Sequence, residues 1–150
     1  MAALTIWPML KGGYYAMVPP DPVPADQLPA WEASFESALA VSAETGKPVL
    51  VDFTAGWCPP CKVMEADVWP NQDVRDAIAE RVIPVQLDVD EPSSAAASRR
   101  YGVQYIPTIL LVDAEGEVLA RDSFMSAGAM VSFIEDNAPT PPATQPAPSE

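Results

Sequence analysis

The chain has no histidine and only two cysteines in 150 residues. Without imidazole there is no Cys–His nucleophilic pair and no histidine-built metal centre. Two cysteines cannot staple a small scaffold together. They could hold a tetrahedral zinc ion only with carboxylates or a second chain, so no metal is expected. Basic residues are also scarce: 8 against 21 acidic ones, a formal charge of −13, with no local Lys/Arg cluster. A phosphate backbone or an anionic membrane surface would repel such a chain, which argues against nucleic acid as a partner. A long hydrophobic run is missing as well. Met1 to Leu10 is mostly apolar, but it contains Pro8, lacks a basic start and is far too short to cross a bilayer. Neither a secretory leader nor membrane insertion of the chain as given is expected. The length suits one domain with a proper core, and a monomer.

What is present is concentrated between Val49 and Glu65. Val49-Leu-Val-Asp-Phe53 is an apolar, β-branched run stopped by Thr54-Ala55-Gly56, the pattern of a buried strand ending in a turn. Cys58 and Cys61 follow, and Lys62-Val-Met-Glu-Ala66 begins a helical pattern. The first turn of a helix carries unpaired N–H groups and the positive end of its dipole. A sulfur there is stabilised as the thiolate, the form that attacks disulfides. The spacing brings the second sulfur within bonding reach across the same turn. Redox exchange between Cys58 and Cys61 is therefore the economical reading, against a structural disulfide or half of a metal site.

The run Trp57-Cys58-Pro59-Pro60-Cys61-Lys62 after Val51-Asp52-Phe53 resembles the active site of the thioredoxin superfamily. With Glu65 added, it resembles more narrowly the C-terminal thioredoxin-like domain of the bacterial membrane thiol:disulfide interchange reductase. The resemblance spans roughly Trp31 to Asn137 and neither flank. It implies an α/β thioredoxin fold, a central mixed sheet of about four or five strands flanked by helices on both faces. The implied activity is reduction of protein disulfides, with no cofactor beyond the Cys58–Cys61 pair. The implied partners are protein disulfides and an upstream thiol reductant. A disulfide oxidase or isomerase, a non-catalytic adaptor and a thiol metal carrier are the alternatives. The resemblance leans towards the cell envelope, with the cytoplasm as the other possibility.

The resemblance also distributes roles. Cys58 becomes the nucleophile and Cys61 the resolving thiol. Asp52, a carboxylate within an apolar strand and costly there if unpaired, becomes the proton acceptor beneath Cys61; otherwise it is a strand-end residue reaching solvent. Glu65, one helical turn beyond Cys61, would tune the cysteines or be an ordinary solvated helix residue. Lys62 adds positive potential or is simply a surface lysine. Pro107, in Ile106-Pro107-Thr108, is expected in cis against the cysteines, although such bonds are about 5–6% of X-Pro bonds in general. Trp57, Pro59, Pro60, Ile106 and Pro107 would face the substrate, with the backbone of Ile106 pairing with an extended segment. Three departures matter. Many thioredoxins have Gly-Pro where this chain has Pro59-Pro60, which deletes N–H donors near the sulfurs. Where many place a lysine facing the aspartate, the matching residue is Gln86, so Asp52 should hold its proton tightly. Ala66 stands near the place of a common kinking proline.

Outside that stretch, residues 1–30 read as an N-terminal arm, made extended by Pro19, Pro20, Pro22, Pro24 and Pro29. Its apolar start either docks on the domain or a partner, or is a partly ordered leader. Residues 31–137 are the domain, with helices over Trp31–Thr45 and Asn71–Glu80, strands at Val82–Asp88 and Ile106–Val112, and a short helix at Glu91–Arg100. A hairpin turn leads into Glu117–Ala120, and Ser126–Asn137 closes the domain as a helix. Residues 138–150 form a disordered, proline-rich tail.

Overall fold

A computed structural model describes residues 3–139. Its centre is β1, Val49–Thr54, all six residues buried. It lies beside β2 (Ile83–Asp88) in parallel and β3 (Thr108–Val112) antiparallel, and β4 (Val118–Asp122) pairs antiparallel with β3. The sheet therefore has four strands in the order β2-β1-β3-β4. As an edge strand, β2 tolerates Pro84. The Pro84 carbonyl accepts 2.8 Å from Glu32 N–H, a single bridge beyond the edge.

Alternation along the strands divides the core. Leu50, Ile109 and Leu111 face one side, with Met64, Val68, Trp69, Val74, Ile78, Met130 and Ile134. Val49, Val51, Phe53, Leu110 and Val112 face the other, with Phe35, Ala38, Val85 and Tyr101. Successive strand residues point to opposite faces, so Asp52 shares the side of Leu50.

The helices are α1 (Ala3–Met17), α2 (Phe35–Thr45), α3 (Pro59–Asp67), α4 (Gln72–Arg81), α5 (Ala95–Arg100) and α6 (Ala127–Asn137). Helix ends follow local chemistry. Asn71 caps α4 by accepting from the N–H groups of Asp73 and Val74, as its position suggests. Gly46 ends α2 at φ 75°, a conformation that glycine adopts without penalty. Helix α2 starts later than its periodicity suggests, because Ser34 caps it while Trp31 stacks edge-on against Trp69 at 5.1 Å. Ser126 likewise caps α6.

Two flanking regions differ in how they stand. The apolar start, for which the sequence left docking or a partly ordered leader open, is a helix over Ala3–Met17 that packs on α3. The extended conformation is confined to the prolines that follow. The tail expected over 138–150 lies, past Pro139, outside the described residues. Among the described residues no helix is long and apolar enough to cross a membrane.

Candidate active site

The turn after β1 delivers Cys58 to the N-cap of α3, with Pro59 and Pro60 opening the helix. Proline suits that position because its missing N–H would have no helical partner and its φ is already helical. Cys58 and Cys61 are joined as a disulfide, their Cα atoms 5.3 Å apart. The Cys61 N–H donates to Cys58 Sγ at 3.3 Å. With two prolines ahead of it, Cys61 supplies the only backbone donor among the first three helical residues. Ala55, Val89 and Ile106 pack around the two cysteines, and Cys58 is just 1% exposed. The Ile106–Pro107 bond is cis, as the resemblance implied.

Beside this apolar nest lies an open, aromatic-walled surface. Trp57 is 66% exposed, and its Nε1–H donates 2.7 Å to the Asp90 carboxylate. With Val89, Ser98, Val103, Gln104, Tyr105 and Ile106 it lines a cavity of about 490 Å³.

Asp52 is buried on the sheet face that α3 covers, 2% exposed. Register places it opposite Gln86, whose Nε2–H donates to it at 2.9 Å. Burial pushes the carboxyl up to about 7 against the pull of that hydrogen bond; the charge of Glu65 adds to the rise and a Trp69 hydrogen bond opposes it. Glu65 is itself raised by burial, with Lys62 acting against it. Glu65 and Gln86 both line a cavity of about 230 Å³, walled by Trp31, Trp69 and residues 20–23 of the proline-rich connection. The carboxyl's polar neighbours thus connect to space that water can enter.

The thioredoxin-like family model matches residues 30–114, more than half of the chain. The chain belongs to the thioredoxin-like family. Thioredoxin from Acidithiobacillus ferridurans is 30% identical over 102 residues, covering 68% of this chain and 87% of that protein. Thiol:disulfide interchange protein DsbD from Pseudoalteromonas atlantica is 31% identical over 106 residues, 68% of this chain. The match covers only 18% of that DsbD's length. The reduced C-terminal domain of Neisseria meningitidis DsbD superposes with a TM-score of 0.53 at 27% identity, covering 68% of this chain and 92% of that one. Within that family of disulfide oxidoreductases, the chain carries the Cys58–Cys61 pair.

Within this thioredoxin-like site the structure gathers Cys58, Cys61 and Ile106 into one cluster, and sets Asp52, Glu65 and Gln86 into a second group on the α3 side. Three contributors escaped sequence reasoning. Trp69 belongs to no motif, yet its side chain hydrogen-bonds Asp52. Val89 and Asp90 follow β2 with no motif of their own, yet they contact the cysteine cluster and Trp57. Gln86→Lys puts a cation against Asp52, with the adjoining cavity to accommodate the longer chain. The Asp52 carboxyl, followed by carbon NMR through a pH titration, should fall to about 6 or lower.

Proposed function

We propose that the chain reduces disulfides of protein partners by dithiol–disulfide exchange. The observation that carries this is a sulfur pair on the first turn of α3, with a buried carboxyl on the sheet face that α3 covers, pushed up to about 7 and so able both to hold and to take up a proton near neutral pH. In the reduced protein the Cys58 thiolate attacks one partner sulfur, and the partner's other sulfur leaves as a thiolate. Cys61 then gives its proton to Asp52, with Glu65 as the neighbour that keeps Asp52 basic, and attacks Cys58 Sγ. The second partner thiolate departs, two electrons have moved to the partner, and Cys58–Cys61 is a disulfide again. An upstream thiol reductant restores the dithiol. Trp57, Pro59, Pro60 and the Ile106–Pro107 loop would frame the partner's segment around the sulfurs.

The reducing direction is supported by the donor count. A strong oxidant of this family owes its potential to a stabilised reduced form. Here Pro59 and Pro60 leave Cys58 one first-turn N–H, so the helix terminus stabilises its thiolate less than a turn with all its donors would. Equilibration with glutathione should give a potential below about −220 mV, nearer to thioredoxin than to an oxidase. A value above about −180 mV would instead make the pair an oxidant or isomerase. The wild-type protein should also reduce insulin with dithiothreitol as donor.

A further inference from the structure

The N-terminal helix is not part of the family match, which begins at residue 30, yet it packs on the active-site helix. It touches α3 at both ends. Gly12 is buried, and a Cβ there would stand 3.3 Å from the Cβ, carbonyl carbon and carbonyl oxygen of Pro59, the residue after Cys58. Lys11 forms an ion pair with Asp67 at the last turn. The approach at Gly12 is tighter than most side-chain contacts, so any added side chain would crowd Pro59.

Three features suggest that this docking is reversible. The ion pair is partly exposed on both sides, and such pairs contribute little. Among the described side chains of α1, Met9, Leu10, Tyr14 and Met17 remain exposed in the docked position, as does Val18 just after it. The connection to the domain runs through Pro19, Pro20, Pro22 and Pro24 before Asp26 is held by Arg75 at its carbonyl. Meanwhile Cys58 is 1% exposed, and an attacking sulfur has to meet its target. Ile106 packs on the cysteines and joins Trp57 and Tyr105 in the open cavity, while α1 lies against Pro59, next in sequence to Cys58.

We propose that α1 is a lid on the active-site helix, and that access to Cys58 follows the fraction of molecules in which α1 has undocked. The lid regulates the site assigned above and rests on that reading only for the identity of the visitor. The chemistry of docking is simple: a close glycine contact beside the nucleophile and one ion pair at the far end of α3.

The test uses the full-length, fully reduced protein and iodoacetamide, with alkylation at Cys58 followed by mass mapping. Lys11→Asp and Asp67→Lys should each speed alkylation about two- to five-fold, the scale of a partly exposed ion pair. The combined variant, with the charges exchanged, should return to the wild-type rate. These two single changes alter the local charge in opposite senses. If they acted through the potential at the sulfur, their effects would therefore have opposite signs, and that result would overturn the lid. Gly12→Val, which leaves the charges alone and cannot fit against Pro59, should accelerate alkylation more than either. Circular dichroism and melting curves check that each variant is folded. Wild-type rates in all three single variants would also overturn the proposal. Insulin reduction by the wild-type protein is judged separately. If it fails while alkylation responds as described, the reductase reading falls and the lid stands.

Discussion

Insulin reduction should drop to the uncatalysed rate in both Cys58→Ser and Cys61→Ser, by about 10³-fold or more, but only Cys61→Ser should accumulate a covalent adduct. The asymmetry follows from where each sulfur sits. Cys58 is the N-cap, receiving the Cys61 N–H at 3.3 Å, so it is the sulfur that the helix terminus stabilises as a thiolate. Replacing it by a hydroxyl removes the attacking group, and no mixed disulfide can form. Cys61 lies inside the first turn and completes the exchange by attacking Cys58 Sγ. With serine there, the first step proceeds and the second does not, so the partner stays attached. Non-reducing electrophoresis followed by mass spectrometry would show the adduct in one variant and not the other. Equal trapping by both variants, or turnover that survives in either, would remove the assigned order of attack.

Much of this site is legible from residue order because its logic is local. A β-branched run, a turn and Cys-x-x-Cys at a helix start lie within seventeen consecutive residues, and each step is dictated by short-range chemistry. Gly46 and Asn71 mark helix ends for the same reason. Gln86 is legible at one remove, since a parallel register pairs it with Asp52 once the two strands are aligned. Long-range packing is what residue order hides. The stretch around α1 contains Pro8, Gly12 and Gly13, all poor helix formers, and reads as an arm. In the structure it is a helix that packs on α3 with Gly12 against Pro59, and no neighbour in sequence reports that contact. Trp69 is hidden in the same way. Its place after α3 looks like a terminator, whereas its side chain is buried between Trp31 and the sheet and reaches Asp52. The start of α2 is shifted because Trp31 and Glu32, suited to a helix by pattern, are taken by the core and by a bridge to β2.

Asp52→Asn should stabilise the oxidised protein at pH 8, do so by less than half as much at pH 5, and slow the release of partners. Burial raises this carboxyl from 3.8 to about 7. Below the lower value both folded and unfolded chains are protonated, and the residue contributes nothing to pH dependence. As pH rises from about 4 to 7 the unfolded chain ionises while the folded one keeps its proton, so stability is progressively lost. By pH 8 the cost reaches about 4 kcal/mol at most, from 1.36 kcal/mol per pH unit between the two pKa values. Asparagine cannot ionise and is spared that cost, while its carbonyl oxygen can still accept from Gln86. Urea unfolding of both proteins at the two pH values isolates the effect, because the other carboxyl groups cancel in the difference. The kinetic side runs the other way. Without a carboxylate to take the proton from Cys61, resolution of the mixed disulfide should slow by about 10²-fold, the lower range for general base catalysis. A residue retained only for packing would change neither the pH dependence nor the resolution step. An acid kept in the core at a cost to stability, where it can receive a proton from the resolving thiol, would change both. Equal stability differences at pH 5 and pH 8 would show that Asp52 does not titrate in this range, and its assignment as proton acceptor would fall with it.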